Sequence, residues 1–592
     1  MVDMCGIYGE INFDGNSVAT ETLEIMGHVL APRGPDASGV FLMDNVGFGH
    51  RRLKIVDLSE KSNQPIVDKE LGLILTFNGM IYNYRELRKE LKKMGYRFFS
   101  SGDSEVVLKS YHAWGERCVE HLDGMFAFAI CETGSRKIFC ARDKLGIKPF
   151  YYTEINNRLR FASTLPALLA AGGVDTSIDP VALHYYMMLH AVVPAPRTIL
   201  SGIKKIPPAT TLTIDPNGKK HFRTYWKMDF NSGTKNNSSA VDWQNAVEAS
   251  LKNAVKKRLL SDVPVGILLS GGVDSSLIVA LAKKLGAENL QTFSLGFESI
   301  DGERGDEFQY SDMIVEKFKT KHHKIFIKSA DLLRNLPDCI AAMSEPMVSH
   351  DNIGFFLLSS EVSKHVKVVQ SGQGADEIFG GYKWYPPLQK SNNIFKDYCR
   401  LFCDRDQAEF REAVEPKFVS ENFTHDFITS FFEQSGGNDP VNKALSIDAQ
   451  VMLPEDPVKR VDNMTMRWGI EARVPFLDQD LVELAARIPT RLKVGQGGKY
   501  ILKEVARKFI PSEVVDRPKG YFPVPALKHI EGKLLEIIKT VVTDESFYRR
   551  GIFSKKYVEK LLREPKKHIT PLGGSKLWQI ALLELWLKTN EI

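Results

Sequence analysis

Several absences narrow the reading of this chain before any motif does. Cysteine is scarce: seven in 592 residues, an odd number, scattered, with no CxxC pair. A disulfide framework and a zinc ribbon are both excluded by that pattern. Cys399 and Cys403 stand four apart, but no His or Cys pair nearby completes a metal site. A reducing, cytoplasmic setting is the expectation. No apolar run reaches the roughly 18 residues that cross a bilayer, and the N-terminus lacks a basic-then-apolar signal pattern. No membrane partner is therefore expected. Charge of one sign is missing too. Lys and Arg number 78 against 73 Asp and Glu, a net +5 with no long basic block. Nucleic acid is not the partner such a balance indicates. Internal repeats are absent.

What remains is a soluble-type composition, 43% hydrophobic and 26% charged, long enough for two to four domains. The first 225 residues hold short β-like runs such as VGFGH, LGLILTFNG, GMFAFAICE, KIFCARD and RLRFAS, punctuated by Gly, Asp and Asn. Two runs at helical spacing, YRELRKELKKMG and SEVVLKSYHAWG, interrupt them. This predicts an α+β layered domain over 5–227. MDFNSGTKNNSSAV (228–241) is non-periodic and reads as a linker. From 242 to 592 the texture changes. A helix, WQNAVEASLKNAVKKRLLS, leads to the strand VPVGILL, then SGGVDSS, then the helix LIVALAKKLG. The strands LQTFSLGF and VKVVQ follow, which predicts a parallel, doubly wound α/β sheet. A mainly helical C-terminal part ends in the amphipathic run SKLWQIALLELWLK.

SGGVDSS (270–276), between an apolar strand and a helix, is the sharpest local signal. Gly271 and Gly272 let backbone amides approach an anion. Ser270, Ser275 and Ser276 add hydroxyls, and the helix start adds its dipole. Asp274 would repel an anion unless a cation lay between, which implies Mg²⁺. The loop is not GxxxxGKS, so a kinase-like P-loop is excluded. It resembles the pyrophosphate loop of ATP pyrophosphatases, which adenylate a substrate. Ligands of doubly wound sheets sit at the carboxyl ends of the strands. On that rim fall SLGF (294–297), with Leu295, and SGQGADE (371–377), with Ser371, Gly372 and a second metal-ligand candidate, Asp376.

MCGI at the start, RGPD (33–36), HRRLKIVD (50–57), FNGMIYN (77–83), SGDSE (101–105) and ARDKLGIKP (141–149) resemble, in order and spacing, class II glutamine amidotransferases. SGGVDSS, SGQGADEIFGGY, IEARVPFLD (470–478) and RPKGYFPVP (517–525) extend the likeness to asparagine synthetases, across essentially the whole chain. The resemblance implies an N-terminal-nucleophile layered sandwich that hydrolyses glutamine and feeds ammonia to an ATP pyrophosphatase domain. Carried over, Cys5 is the nucleophile and the Asn78 side chain and Gly79 N–H form the oxyanion hole. Arg52 clamps the glutamine carboxylate, Asp103 holds its α-ammonium, and Lys519, with Lys499 or Lys503 as lesser candidates, neutralises charge at the phosphates. The expected small-molecule partners are glutamine, ATP and a carboxylate acceptor, with Mg²⁺ as cofactor and a homodimer allowed. If residues 1–4 are absent from the working form, Cys5 carries a free α-amine titrating near about 7.7–8.0, a base built into the nucleophile.

Three positions depart from the asparagine synthetase pattern. Met80 stands where NGE has its acid, Gln373 where SGEG has its acid, and Thr164 where FASE has its acid. A glutamine cannot act as a general base. With HAVVPAPRTIL (190–200) and EPMVSHDN (345–352), these variants resemble the N-acetylglutaminylglutamine amidotransferase subgroup, which implies amidation of an N-acetylated glutamine dipeptide to an osmoprotectant. Three rivals stay open: an asparagine synthetase using aspartate, a β-lactam-forming relative (which typically lacks the cysteine), and a nucleotide-sensing protein on a degenerate scaffold.

Overall fold

The computed structural model describes residues 5–230, 238–299, 305–434, 437–518, 520 and 530–592. The N-terminal part stacks two six-stranded antiparallel sheets. One runs, edge to edge, Ile203–Lys205, Tyr151–Ile155, Arg158–Ala162, Gly6–Asn12, Val46–Arg52 and Ala37–Met43. The other runs Lys220–Thr224, Thr210–Ile214, Ile138–Arg142, Gly124–Glu132, Leu73–Ile81 and Ile66–Asp68. Alternate inward residues of both sheets, among them Ile7, Phe48, Phe161, Ile74, Ala129 and Leu212, form a core of their own, as aligned sheet packing requires. Helix Thr20–Val29 covers the first sheet and helix Asp103–Trp114 the second. The result is the α+β layered domain that the strand-rich sequence predicts, in the sandwich form that the resemblance implies.

The C-terminal part carries a five-stranded, all-parallel sheet in the order Lys321–Ile327, Gln291–Phe297, Val265–Leu268, Val368–Gln370, Glu471–Arg473. The chain reverses its direction of strand addition between Val265–Leu268 and Val368–Gln370. That switch point opens a crevice at the carboxyl ends of the strands, where SGGVDSS and SGQG both emerge.

Three local expectations change. The sequence named three strands of this sheet, but the described residues form five; Lys321–Ile327 is a partly exposed, Lys- and His-rich edge and Glu471–Arg473 is only three residues long. Helix Ala240–Lys257 begins inside the stretch read as linker, because Ser239 and Asp242 form a reciprocal capping box, while Met228 and Phe230 at the other end are buried. Residues 231–237 lie outside the described residues. Finally, helix Lys576–Thr589 is buried on nearly every face, Glu584 and Gln579 included, rather than on one stripe. Among the described residues no helix is long and apolar enough to cross a membrane.

Candidate active sites

The first site gathers around Cys5. Antiparallel register pairs Gly6 with Arg51, so one step back along the strand brings Cys5 beside Arg52 and Leu53. Its Sγ accepts the Leu53 N–H at 3.4 Å. Burial pushes the thiol up to about 11, against the smaller opposing pull of that N–H and of Arg52. A neutral thiol at pH 7 needs a base to attack. Residues 1–4, on which the α-amine expectation depends, lie outside the described residues.

Arg52 is buried, and its guanidinium is held by neutral oxygens. Nη1 donates to the Ser59 carbonyl (2.6 Å) and Asn63 Oδ1 (2.7 Å), and Nη2 to the Asp57 carbonyl. Among the described residues no carboxylate pairs with it directly, so its charge is fixed in place and left for a ligand. Asp103 opens helix Asp103–Trp114, and its Oδ2 accepts the Ile81 N–H at 3.0 Å. Burial raises its carboxyl to about 6.

Asn78 and Gly79 lie on the strand Leu73–Ile81 that ends at this carboxylate. Asn78 is 1% exposed, and its Nδ2 has no hydrogen-bond partner. A buried amide donor without an acceptor is costly, and an oxyanion is the acceptor that would satisfy it. A Cβ on Gly79 would stand 2.1 Å from the Met125 carbonyl oxygen, so only glycine lets the two strands approach there. Met80 is buried against the same pocket.

The sequence did not reveal the pocket's far wall. Glu471 and Arg473, from the C-terminal domain, line it together with Cys5, Arg52 and Asp103. Arg473 Nε donates to Glu471 at 2.6 Å, and its Nη1 donates to the carbonyls of Arg258 (3.1 Å) and Leu260 (2.5 Å). IEARVPFLD was visible as a motif, but its strand faces two sites. The Arg473 carbonyl accepts the Ser371 N–H at 2.9 Å, and Ser371 belongs to the second site.

That second site occupies the switch point. Gly271 has φ +72°, and a Cβ there would meet the Ser311 N–H nitrogen at 2.9 Å. Gly272 caps helix Val273–Lys284. Ser275 Oγ accepts from the Ser270 N–H (3.2 Å) and lies 3.1 Å from Ser270 Oγ, while the Ser276 hydroxyl is buried without a partner. Gly372 faces Asp274 across the crevice, its Cβ position 3.1 Å from the Asp274 Cβ. Leu295 sits on the adjacent strand, two residues past Phe293, whose carbonyl accepts the Leu269 N–H at 2.8 Å.

Asp274 and Asp376, the two metal-ligand candidates, converge on one cation. Lys499 Nζ lies 2.6 Å from Asp274 Oδ2 and 2.9 Å from Asp376 Oδ1. Burial alone would depress its ammonium, but the two carboxylates outweigh that and hold it above its ordinary value. A Cβ on Gly381 would come within 2.0 Å of Asp376 Oδ1 and 2.3 Å of Lys499 Cε, so the FGGY glycine makes room for the cluster. Two carboxylates already sharing a cation beside an anion loop are a donor set that fits Mg²⁺ with phosphate oxygens. Among the described residues no group of three or more His, Cys, Asp or Glu gathers around a metal-sized site. Lys503 instead reaches the Gln496 carbonyl at 3.5 Å. Lys519 lies outside the described residues. Arg517, which the sequence reading passed over, has Nη2 3.5 Å from the Gly272 Cβ position and pairs with Glu307 at 3.0 Å.

Buried ion pairs join the two domains. Arg33 donates to Asp462 at 3.0 Å and to the Cys5 carbonyl at 3.4 Å, and Lys148 reaches Asp462 at 3.3 Å. Lys205 meets Glu345 (2.8 Å) and Glu455 (2.5 Å), and Lys459 meets the same two acids at 3.1 Å.

Comparison with known proteins places both halves. The family model described as Asparagine synthase matches residues 246–588, and that described as Glutamine amidotransferase domain matches 4–226. The chain is 32% identical to asparagine synthetase [glutamine-hydrolyzing] 1 of Bacillus subtilis (strain 168), over 99% of this chain and 97% of the relative. It is 32% identical to a putative asparagine synthetase [glutamine-hydrolyzing] of Mycobacterium tuberculosis (strain ATCC 25618 / H37Rv), covering 98% and 97%. Amidase chyE of Penicillium rubens is 25% identical, with 96% of each chain covered.

Proposed function

The chain belongs to the asparagine synthase family and carries a class II glutamine amidotransferase domain, and from that premise we propose that it is a glutamine-hydrolysing, ATP-dependent amidoligase whose acceptor is N-acetylglutaminylglutamine. The observation that carries the reading is the pairing of two sites in one chain: a cysteine pocket with a carboxylate clamp and an orphan amide donor, and an anion loop facing two carboxylates.

In the first site Arg52 binds the glutamine α-carboxylate and Asp103 its α-ammonium, which aims the side-chain amide at Cys5. The Cys5 thiol gives its proton to its own α-amine in a form lacking residues 1–4. The sulfur attacks the amide carbon, and Asn78 Nδ2 and the Gly79 N–H hold the oxyanion. Ammonia leaves with the returned proton, and water releases glutamate from the thioester. In the second site the acceptor carboxylate attacks the α-phosphorus of ATP, and pyrophosphate departs along the Ser270–Ser276 loop. Asp274 and Asp376 would hold Mg²⁺, which would supply charge neutralisation on the phosphates. Lys499 is placed to balance these acids, with Lys519 as a further cation. Ammonia then attacks the acyl carbon, and AMP leaves with the amide formed.

Gln373, at the head of the helix bearing Asp376, supports an acceptor met by neutral hydrogen bonds rather than by an added carboxylate. Aspartate is the second reading, and the full-length relatives named asparagine synthetase favour it. The deciding experiment supplies purified enzyme with MgATP, ammonia and either acceptor, measures pyrophosphate, and identifies the amide by mass. Amidated dipeptide with little asparagine is expected; efficient asparagine formation without dipeptide turnover would restore the second reading. With glutamine in place of ammonia, glutamate release without pyrophosphate or amide from any acceptor would point to the sensor.

A further inference from the structure

Cys399 and Cys403, which neither site uses, meet at a third cavity of about 570 Å³ that shares no lining residue with the cysteine pocket. Arg400, Arg405 and Lys576 line it beside them. Cys399 lies on helix Ile394–Phe402, and Cys403 closes that helix, its N–H donating to the Cys399 carbonyl at 2.8 Å. From there the backbone turns extended, with Cys403 at φ −69° and ψ 133°. Cys399 is partly exposed and Cys403 is buried. The Cys403 thiol stands well above its ordinary value, raised first by its hydrogen bond with Cys399 and then by burial. Cys399 is thus the sulfur that a small molecule in the cavity reaches, and Cys403 the one held against it. Cys118, Cys131, Cys140 and Cys339 are buried, with burial the leading cause that raises each thiol. Cys5 belongs to the first site.

The two residues that follow Cys403 hold the first domain. The Asp404 N–H donates to the Met188 carbonyl at 2.9 Å, and Arg405 Nη1 to the Met187 carbonyl at 2.8 Å. Those carbonyls belong to the last turn of helix Pro180–Met188, where a helix supplies no partner of its own. Both residues also grip Gln579 of the final helix. Asp404 Oδ2 accepts from Gln579 Nε2 at 3.1 Å, and Arg405 Nη1 donates to Gln579 Oε1. One short segment next to a thiol pair therefore ties the two domains together. Side chains four apart on a helix have Cβ atoms about 5–6 Å apart, whereas a disulfide requires about 3.5–4.5 Å. Closing a bond between these sulfurs must draw Cys403 inward, break its N–H bond to Cys399, and shift Asp404 and Arg405.

We propose that Cys399 and Cys403 are a reversible thiol–disulfide pair, oxidised by a low-molecular-weight disulfide, whose closure loosens the hold of Asp404 and Arg405 on the first domain. The Cys399 thiolate attacks one sulfur of the small disulfide and expels a thiolate. The Cys403 sulfur then attacks Cys399 and expels the second. Two electrons pass from the cysteines to the reagent, and the two thiol protons go to the departing thiolates. A bond closed against helical spacing is strained and readily reduced, which suits a switch in a reducing setting rather than a permanent bridge. The test treats the full chain with oxidised glutathione, alkylates the remaining thiols, and maps every cysteine by mass. The peptide carrying Cys399 and Cys403 should lose two hydrogens and regain them on reduction, while Cys403→Ser should stop at a glutathione mixed disulfide on Cys399. In the oxidised parent chain, amides at Asp404, Arg405 and the end of helix Pro180–Met188 should exchange hydrogen about tenfold faster. The same reagent should leave that exchange unchanged in Cys399→Ser, which separates the effect from any reaction at Cys5. Free thiols at both positions, or a mixed disulfide that persists in the parent chain, would overturn the pair. A disulfide without faster exchange would overturn its transmission to the first domain.

Discussion

The two catalytic regions treat their charges in opposite ways. In the cysteine pocket, among the described residues Arg52 is tied only to neutral oxygens and Asn78 keeps an unpaired donor, so a ligand there would break no ion pair of Arg52. At the switch-point crevice, Asp274 and Asp376 are closed on Lys499, and under the proposed function a nucleotide with its metal would exchange partners within that cluster. The first site keeps its Asn78 donor unpaired; in the second, one lysine offsets only part of the charge of two carboxylates. Preorganised donors act on a developing charge without reorganisation, whereas a self-paired site binds only a ligand that repays the broken contacts.

The difference makes the branches separable. Cys5→Ala should reduce glutamine-driven synthesis to background while ammonia-driven synthesis persists, read by glutamate and pyrophosphate assays in parallel. Glutamate release at the parent rate would remove Cys5 from its role. Asp274→Asn or Asp376→Asn should lower pyrophosphate formation about 100–1000-fold with either nitrogen source; near-normal release would break the assignment of the rim. Asn78→Ala should cost about 100-fold in kcat for glutamine hydrolysis and leave ammonia-driven synthesis intact. A change confined to KM would make Asn78 a binding residue only.

The pH profile gives a graded effect and the sharpest contrast. An α-amine base titrating near about 7.7–8.0 should lower kcat/KM for glutamine about tenfold per unit on its acid side. Asp103, raised to about 6 by burial, gains a proton as pH falls through that value and loses its hold on the ammonium. The slope should therefore steepen to about a hundredfold per unit below about pH 6. Asp103→Asn should show no such steepening, and ammonia-driven synthesis should lack it altogether.

Much of this arrangement was legible in the sequence because it rests on short-range chemistry. Strand-rich texture indicated the α+β layered domain, and strand–SGGVDSS–helix placed the loop, since both depend on residues adjacent along the chain; the sandwich itself followed from the resemblance. Glu471 and Arg473 were not legible as a wall of the cysteine pocket. Their strand is three residues long, too short for periodicity, and its position depends on pairing with Val368–Gln370, about a hundred residues earlier. Lys499 was undervalued for a similar reason. Nothing local marks a lysine that meets Asp274 and Asp376, 225 and 123 residues away. The final helix was misjudged as one-sided because burial of Gln579 and Glu584 is decided by distant partners, the Tyr186 carbonyl and Arg550.

The strand Glu471–Arg473 also limits how far the halves can be treated as exchangeable modules. A chimera joining residues 5–230 to another protein's synthetase half would inherit that protein's version of the wall behind Cys5. Conversely, a change at Arg473 chosen to alter the Ser371 side would disturb glutamine hydrolysis as well. In a mutational survey this three-residue segment should stand out through pleiotropy: paired defects in nitrogen release and in adenylation that no single-domain experiment would assign to one position.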